Sequence, residues 1–138
     1  MNDRPNDIKR IRPEIPKAKI NDEMSLEELF QNATLRPIIK FQNPLLIAVF
    51  KNYITKRKNV FYNLTIEKKQ TYIENALQKD MSFSNSIKGM VIGQFTVKEY
   101  EMYITQASAL NKRIINLVKE RLVSQIQLFE KLPDLKAS

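Results

Sequence analysis

Residues 107–126 read ASALNKRIINLVKERLVSQI, and Leu110, Ile114, Val118, Leu122 and Ile126 recur in them at every fourth position. That spacing is close to the 3.6-residue turn of an α-helix, so the five side chains form one apolar stripe, which Ala107 and Leu117 widen. Lys112, Arg113, Asn116, Lys119 and Glu120 fall on the flanking faces. Upstream, Thr96-Val97-Lys98-Glu99 has the form of a capping box, in which the threonine hydroxyl and the glutamate carboxylate each satisfy a backbone N–H of the first turn. The helix opened there is expected to reach Phe129, about 30 residues and roughly 45 Å at ~1.5 Å per residue. Leu132-Pro133 should end it.

The same signals, followed toward the N-terminus, place three or four shorter helices against the long one. Both glycines fall in a segment over residues 85–94, where Gly89 and Gly93 are one turn apart on one face. The Gly-x-x-x-Gly spacing suits a close approach of two helix backbones. Residues 80–84 read as a loop, and Thr65 caps a helix to about Lys79 whose buried edge is Ile66, Ile73, Ala76 and Leu77, with Glu67 favoured in its first turn by the helix dipole. Pro37 suits the first turn of a helix running to about Lys58, with Ile38, Phe41, Leu45, Ala48, Val49 and Ile54 as its apolar set. Pro44 within it predicts a kink or break near Asn43. Ser25-Leu26-Glu27-Glu28 is a further capping box, opening a short helix over residues 26–32. Residues 1–23 hold Pro5, Pro13 and Pro16 among alternating charges and read as an extended, mobile arm.

The expected architecture is therefore all-α: one bundle of four to five helices with a long C-terminal helix, spanning residues 24–131, after the N-terminal arm and before a loose tail at 132–138. A chain of 138 residues fits one such domain, and 2 Gly and 43% hydrophobic residues agree with helices rather than many tight turns. The chain has no Cys, so no disulfide framework or thiolate site. The longest aliphatic or aromatic run, residues 45–50, is six residues, far short of the roughly 20 that span a bilayer. The first 23 residues lack the apolar stretch of a signal peptide, so a cytoplasmic protein with no membrane partner is expected.

The absence of His and Cys removes whole reaction classes. Ser-His-Asp and Cys-His nucleophiles, imidazole or thiolate zinc sites and the Glu-x-x-His pairs of di-iron bundles are all excluded. Glu99 and Glu101 do not share a helix face, and Glu67 and Glu74 are two turns apart, so neither pair suits general acid/base work. The glycines fit no phosphate-loop pattern. No catalytic, metal-binding or cofactor-binding residue is assigned, and none of these groups is expected.

Charge supplies the positive signal. Residues 31–69 hold Arg36, Lys40, Lys51, Lys56, Arg57, Lys58, Lys68 and Lys69 against Glu67 alone, net +7 of the chain's +8. A field of that sign attracts phosphate backbones or an acidic partner. Lys51, Lys56, Arg57, Lys58, Lys68 and Lys69 are the candidate contacts, with Phe61 and Tyr62 as candidates for stacking on unpaired bases. The plainer reading has Lys56, Arg57 and Lys58 complementing a helix C-terminal dipole and Phe61 and Tyr62 packed in the core. A second candidate surface is the end of the long helix, where Leu122, Val123, Ile126 and Phe129 could form a dimer or partner seam.

Residues 34–40 (TLRPIIK), 89–96 (GMVIGQFT) and 108–122 (SALNKRIINLVKERL) resemble a group of small, uncharacterised, all-helical bacterial proteins that often carry the label "glyoxalase". The resemblance covers about residues 26–129 and rests on whole segments rather than a chemical motif. Glyoxalase sites hold a metal through histidine and glutamate on a mixed α/β fold, whereas this chain has no histidine and no strand pattern, so the resemblance carries over no catalytic residue. The expected function is that of a non-enzymatic protein whose basic surface contacts nucleic acid or a ribonucleoprotein. The alternative is a protein-interaction or dimerisation module built on the long helix.

Overall fold

The structure, a computed structural model, describes residues 3–13 and 24–129. It is all-α, with no strand among the described residues. The α-helices are α1 (Arg4–Ile11), α2 (Leu26–Phe30), α3 (Arg36–Lys56), α4 (Ile66–Gln78), α5 (Met81–Ile92), α6 (Val97–Tyr103) and α7 (Ala107–Ser124). A π turn at Gln31–Leu35 joins α2 to α3 and a 3-10 turn at Ile104–Gln106 joins α6 to α7, so the described residues form five helical bodies. Among the described residues no helix is long and apolar enough to cross a membrane.

The long C-terminal helix is present, though with a tightened turn at Ile104–Gln106 and an end at Ser124 rather than Phe129. A last 3-10 turn, Ile126–Leu128, bends the chain so that Phe129 turns back into the core. The Thr96 capping box is complete: the Thr96 hydroxyl accepts from Glu99 N–H at 3.2 Å, and Glu99 Oε1 accepts from Thr96 N–H at 2.9 Å. Ser25 likewise accepts from Glu28 N–H at 3.1 Å.

Four local expectations are corrected. Residues 80–84 are not a loop, because Asp80 accepts from Phe83 N–H at 3.1 Å and so caps α5, which starts at Met81. The break near Asn43 is absent: α3 continues through Pro44, which stands on the solvent face where water can satisfy the carbonyl it leaves without a donor. The distortion falls instead at Pro37, where Arg36 N–H reaches back five residues to Gln31 O. Proline offers no donor to Ala33 and crowds the preceding turn, and the helix widens by one residue to accommodate it. The apolar register of α3 also differs. Ile38 and Ile54 are buried and Val49 is half-buried against the core as expected, but Ile39, Leu46 and Phe50 join them inside while Phe41, Leu45 and Ala48 face solvent, and in α4 Ile66 is exposed, leaving Ile73, Ala76 and Leu77 as the buried edge.

The arm expected to be extended contains a helix. α1 has Pro5 in its first turn, where a proline is tolerated, buries Ile8, and is fastened at both ends to the corner between α5 and α6. Arg4 donates to the carbonyls of Gly93 and Phe95 at 2.9 and 3.0 Å. Arg12 donates to Gln94 O at 2.9 Å and forms a two-pronged pair with Glu99 at 2.6 and 2.9 Å. Thr34, buried in the π turn, donates to the same carboxylate at 3.1 Å. The glycine pair does not serve close packing of two helices, since a Cβ on Gly89 would meet open space and one on Gly93 would meet the Gly89 carbonyl of its own helix at 3.0 Å. The expectations for residues 14–23 and for the tail at 132–138 lie outside the described residues.

Burial alone would push the Glu99 carboxyl upward, but it is outweighed by hydrogen bonds from Arg12 and the Thr96 N–H, the Arg12 charge and the Thr34 hydroxyl, and the group is held below its ordinary range. A carboxyl lowered by folding contributes stability above its unfolded pKa, and that contribution is lost as pH falls through the folded value. Because its side chain is only 15% exposed, Glu99→Ala should destabilise the protein by about 2–3 kcal/mol, somewhat below the cost of breaking a fully buried pair. Thermal unfolding of Glu99→Ala, Arg12→Ala and the double variant at pH 7 checks this. The two losses should be strongly non-additive, and simple additivity would refute the coupling.

Candidate polyanion interface

α3 ends at Lys56 because the next residues reverse the chain. Lys58 and Asn59 both take left-handed backbone conformations, with φ of 62° and 60°, and Asn59 N–H returns to Ile54 O at 3.1 Å. Asparagine tolerates that region, whereas a lysine there carries strain of about 1 kcal/mol that glycine would avoid. The following 3-10 turn, Val60–Asn63, leads within two residues to Thr65, which caps α4 by accepting from Lys68 N–H at 3.3 Å. Lys51, Lys56, Arg57 and Lys58 thus stand at the C-terminal end of α3, and Lys68 and Lys69 in the first turn of α4, at one corner of the bundle.

This corner does not use its cations alike. Lys51, Lys56, Lys58 and Lys68 are exposed and form no ion pair among the described residues. Lys69 is half-buried with Nζ 5.4 Å from the centre of the Phe61 ring. Arg57 is engaged: its guanidinium lies 3.4 Å over the Tyr53 ring and donates to Asp80 Oδ2 at 2.9 Å. The Asp80 carboxyl thereby ties the end of α3 to the start of α5, and Tyr53 Oη donates to the same oxygen at 3.1 Å. Phe61 is fully buried, edge-to-face with Phe50 at 5.5 Å and with Tyr72 at 5.2 Å, and Tyr62 is half-buried against the core. Phe61 is therefore unavailable to stack on a base, which corrects that expectation.

The second candidate surface is corrected on the same ground. Leu122 and Phe129 are completely buried, Phe129 lying 5.0 Å from Phe50, and Val123 and Ile126 are half-buried against the core. Leu122 and Phe129 are interior because the last turn folds the chain back onto the core, and Val123 and Ile126 keep only part of their surface in solvent.

A cleft of about 270 Å3 opens beside Arg57, lined by Tyr53, Lys56, Asp80, Ser82 and Ser86 among others. Its titratable groups do not suit acid/base catalysis near neutrality. Burial and then the hydrogen bond to Asp80 push the Tyr53 phenol up to about 12, while the Phe83 N–H, Tyr53 and Arg57 hold the Asp80 carboxyl down against its partial desolvation. Among the described residues no group of three His, Cys, Asp or Glu is placed to hold a metal ion. Sequence reasoning missed the Tyr53–Arg57–Asp80 cluster. Its signal was an aspartate three residues before Phe83, which with Ile87 and Val91 recurs at four-residue spacing, an N-cap followed by a helical stripe.

No known protein family, curated protein or solved structure matches this chain.

Two outcomes follow from this geometry. Lys58→Gly should raise unfolding stability by about 0.5–1 kcal/mol, and a loss of stability in urea titrations would contradict the strain argument. A phenol raised by folding stabilises the protein below its unfolded pKa near 10 and loses that contribution as pH rises toward 12. Ultraviolet titration should therefore show that one phenol fewer ionises near pH 10 in the native protein than in its Tyr53→Phe variant plus one ordinary tyrosine. A Tyr53 that ionises near pH 10 would contradict the assignment.

Proposed function

We propose that this protein binds the phosphate backbone of nucleic acid, alone or within a ribonucleoprotein, through the α3–α4 corner, and performs no chemistry on it. The observation that carries the reading is the division of charge at that corner. Asp80 takes up Arg57, while Lys51, Lys56, Lys58 and Lys68 stand exposed without an ion-pair partner among the described residues, and no acidic residue occurs between Glu28 and Glu67. Lysines are suited to this as compact, mobile charges that meet phosphates without demanding one geometry. With Phe61 in the core, recognition rests on counterion release and carries little base readout. The strained backbone at Lys58 supports the same reading, because it holds a cation outward at a position where glycine would be more stable.

The test is binding to total cellular RNA and to duplex DNA across about 50–300 mM salt, beside a Lys56→Glu/Lys58→Glu/Lys68→Glu variant that leaves the structural Arg57 in place. Three to four phosphate contacts would give a log–log salt slope of about −3 on duplex, and the variant should lose most of that slope together with the affinity. Salt-insensitive binding, or an unaltered slope in a folded variant, would sink the proposal.

A further inference from the structure

A second cationic site lies away from the α3–α4 corner, in an open groove between α3 and α7. One compartment of about 490 Å3 is walled by Arg36, Lys40, Glu120 and Arg121, with Ile39 and Leu117 among its lining residues. Both apolar residues are buried, 2% and 8% exposed, so they form a floor. Arg36 Nε donates to Asn32 Oδ1 at 3.0 Å, which fixes the plane of the guanidinium and leaves its Nη groups for a ligand. Arg121 comes from the last turn of α7, where the Ser124 hydroxyl bonds its carbonyl at 2.8 Å and holds the turn. Arg36, Lys40, Glu120 and Arg121 form no ion pair among the described residues. The groove continues past Arg36 and Leu117 toward Arg113, but that arginine is engaged by Gln31 at 2.9 Å and Glu27 at 3.4 Å.

From this arrangement we infer that the α3–α7 groove is a seat for a phosphate group, with Arg36 and Arg121 as its planar donors and Lys40 as a third charge. Among the described lining residues three cations against one carboxylate leave two positive charges, which match the dianion of a phosphomonoester above its second pKa of about 6. Two guanidiniums converging from different helices suit the tetrahedral oxygens of phosphate better than a planar carboxylate, since each can offer paired N–H donors. The apolar floor accepts the organic part of an ester, and among the described residues no aromatic side chain lines the compartment to stack a nucleobase. The seat is independent of the reading given for the α3–α4 corner.

The test is a titration of the full chain with inorganic phosphate, butyl phosphate and a mixed-sequence RNA oligonucleotide, followed by amide shifts in NMR spectra. Butyl phosphate should move the amides of residues 36–40 and 117–124 and bind more tightly than inorganic phosphate. Arg36→Gln and Arg121→Gln should each weaken it about ten-fold. Lys56→Glu/Lys58→Glu should leave it unchanged, which separates this site from the corner. Thermal unfolding of the variants confirms that each is folded, and Lys40→Gln, on an exposed side chain, provides a further variant expected to weaken binding. If RNA moves the same amides and butyl phosphate displaces it, the phosphate comes from a nucleic acid. If RNA leaves them unmoved, a free ester is the source, and both results support the seat. Unchanged affinity in the arginine variants, shifts confined to other surfaces, or no saturable shift with any of the three probes would overturn it.

Discussion

The bundle is organised around one side chain, Phe50. Fully buried in the middle of α3, it meets Tyr53 on its own helix, Phe61 from the 3-10 turn, Tyr72 from α4, Phe83 from α5 and Phe129 after the last 3-10 turn, with ring centres 5.0–6.4 Å apart. Most of these contacts are edge-to-face or tilted, the arrangement that aromatic quadrupoles favour beyond simple burial. Because the rings come from four separate segments besides α3, the position of Phe50 sets where α4 and α5 leave the α3–α4 corner and where the segment carrying Phe129 closes over the core. The exposed lysines of that corner lie on the outer side of the same construction.

Electrostatics follow from that frame. Asp7, Glu27, Glu74, Asp80 and Glu99 each pair with a cation, and two of these links, Arg12–Glu99, the best buried, and Arg57–Asp80, join distant parts of the chain. These pairs fasten α1 to the α5–α6 corner and the end of α3 to the start of α5. The cations left over are mostly lysines on solvent-facing positions, whose contribution to the fold is small and whose contribution to the field around the protein is large. The basic character of the chain is therefore a property of its surface more than of its architecture.

Much of the architecture was legible in the residues. The four-residue stripe from Leu110, the cap at Thr65 and the box at Thr96 placed α4, α6 and α7 because each is local and each uses periodicity or a short-range hydrogen bond. The α3 register was not legible, since Phe41 and Leu45 are as apolar as Leu46 and Phe50, and only packing against α5 and α7 decides which pair faces in. The helix at α1 escaped for the same reason. Its sequence has a single inward apolar residue, Ile8, and it is held by Arg4 and Arg12 binding groups some 90 positions away, which no local pattern reveals. At the candidate site the charge run was visible, but the engagement of Arg57 by Asp80 and the burial of Phe61 depend on tertiary neighbours.

The central claim is that the exposed lysines of the α3–α4 corner are the contact surface for phosphate backbones. It is tested most directly by lysine-specific acetylation of the protein with and without bound RNA at low salt, read residue by residue by mass spectrometry. The account requires Lys56, Lys58 and Lys68 to be the most strongly protected lysines, with Lys79 and Lys98 reacting as they do in the free protein. Uniform reactivity with RNA bound, or protection centred on Lys98 or another face, would contradict it.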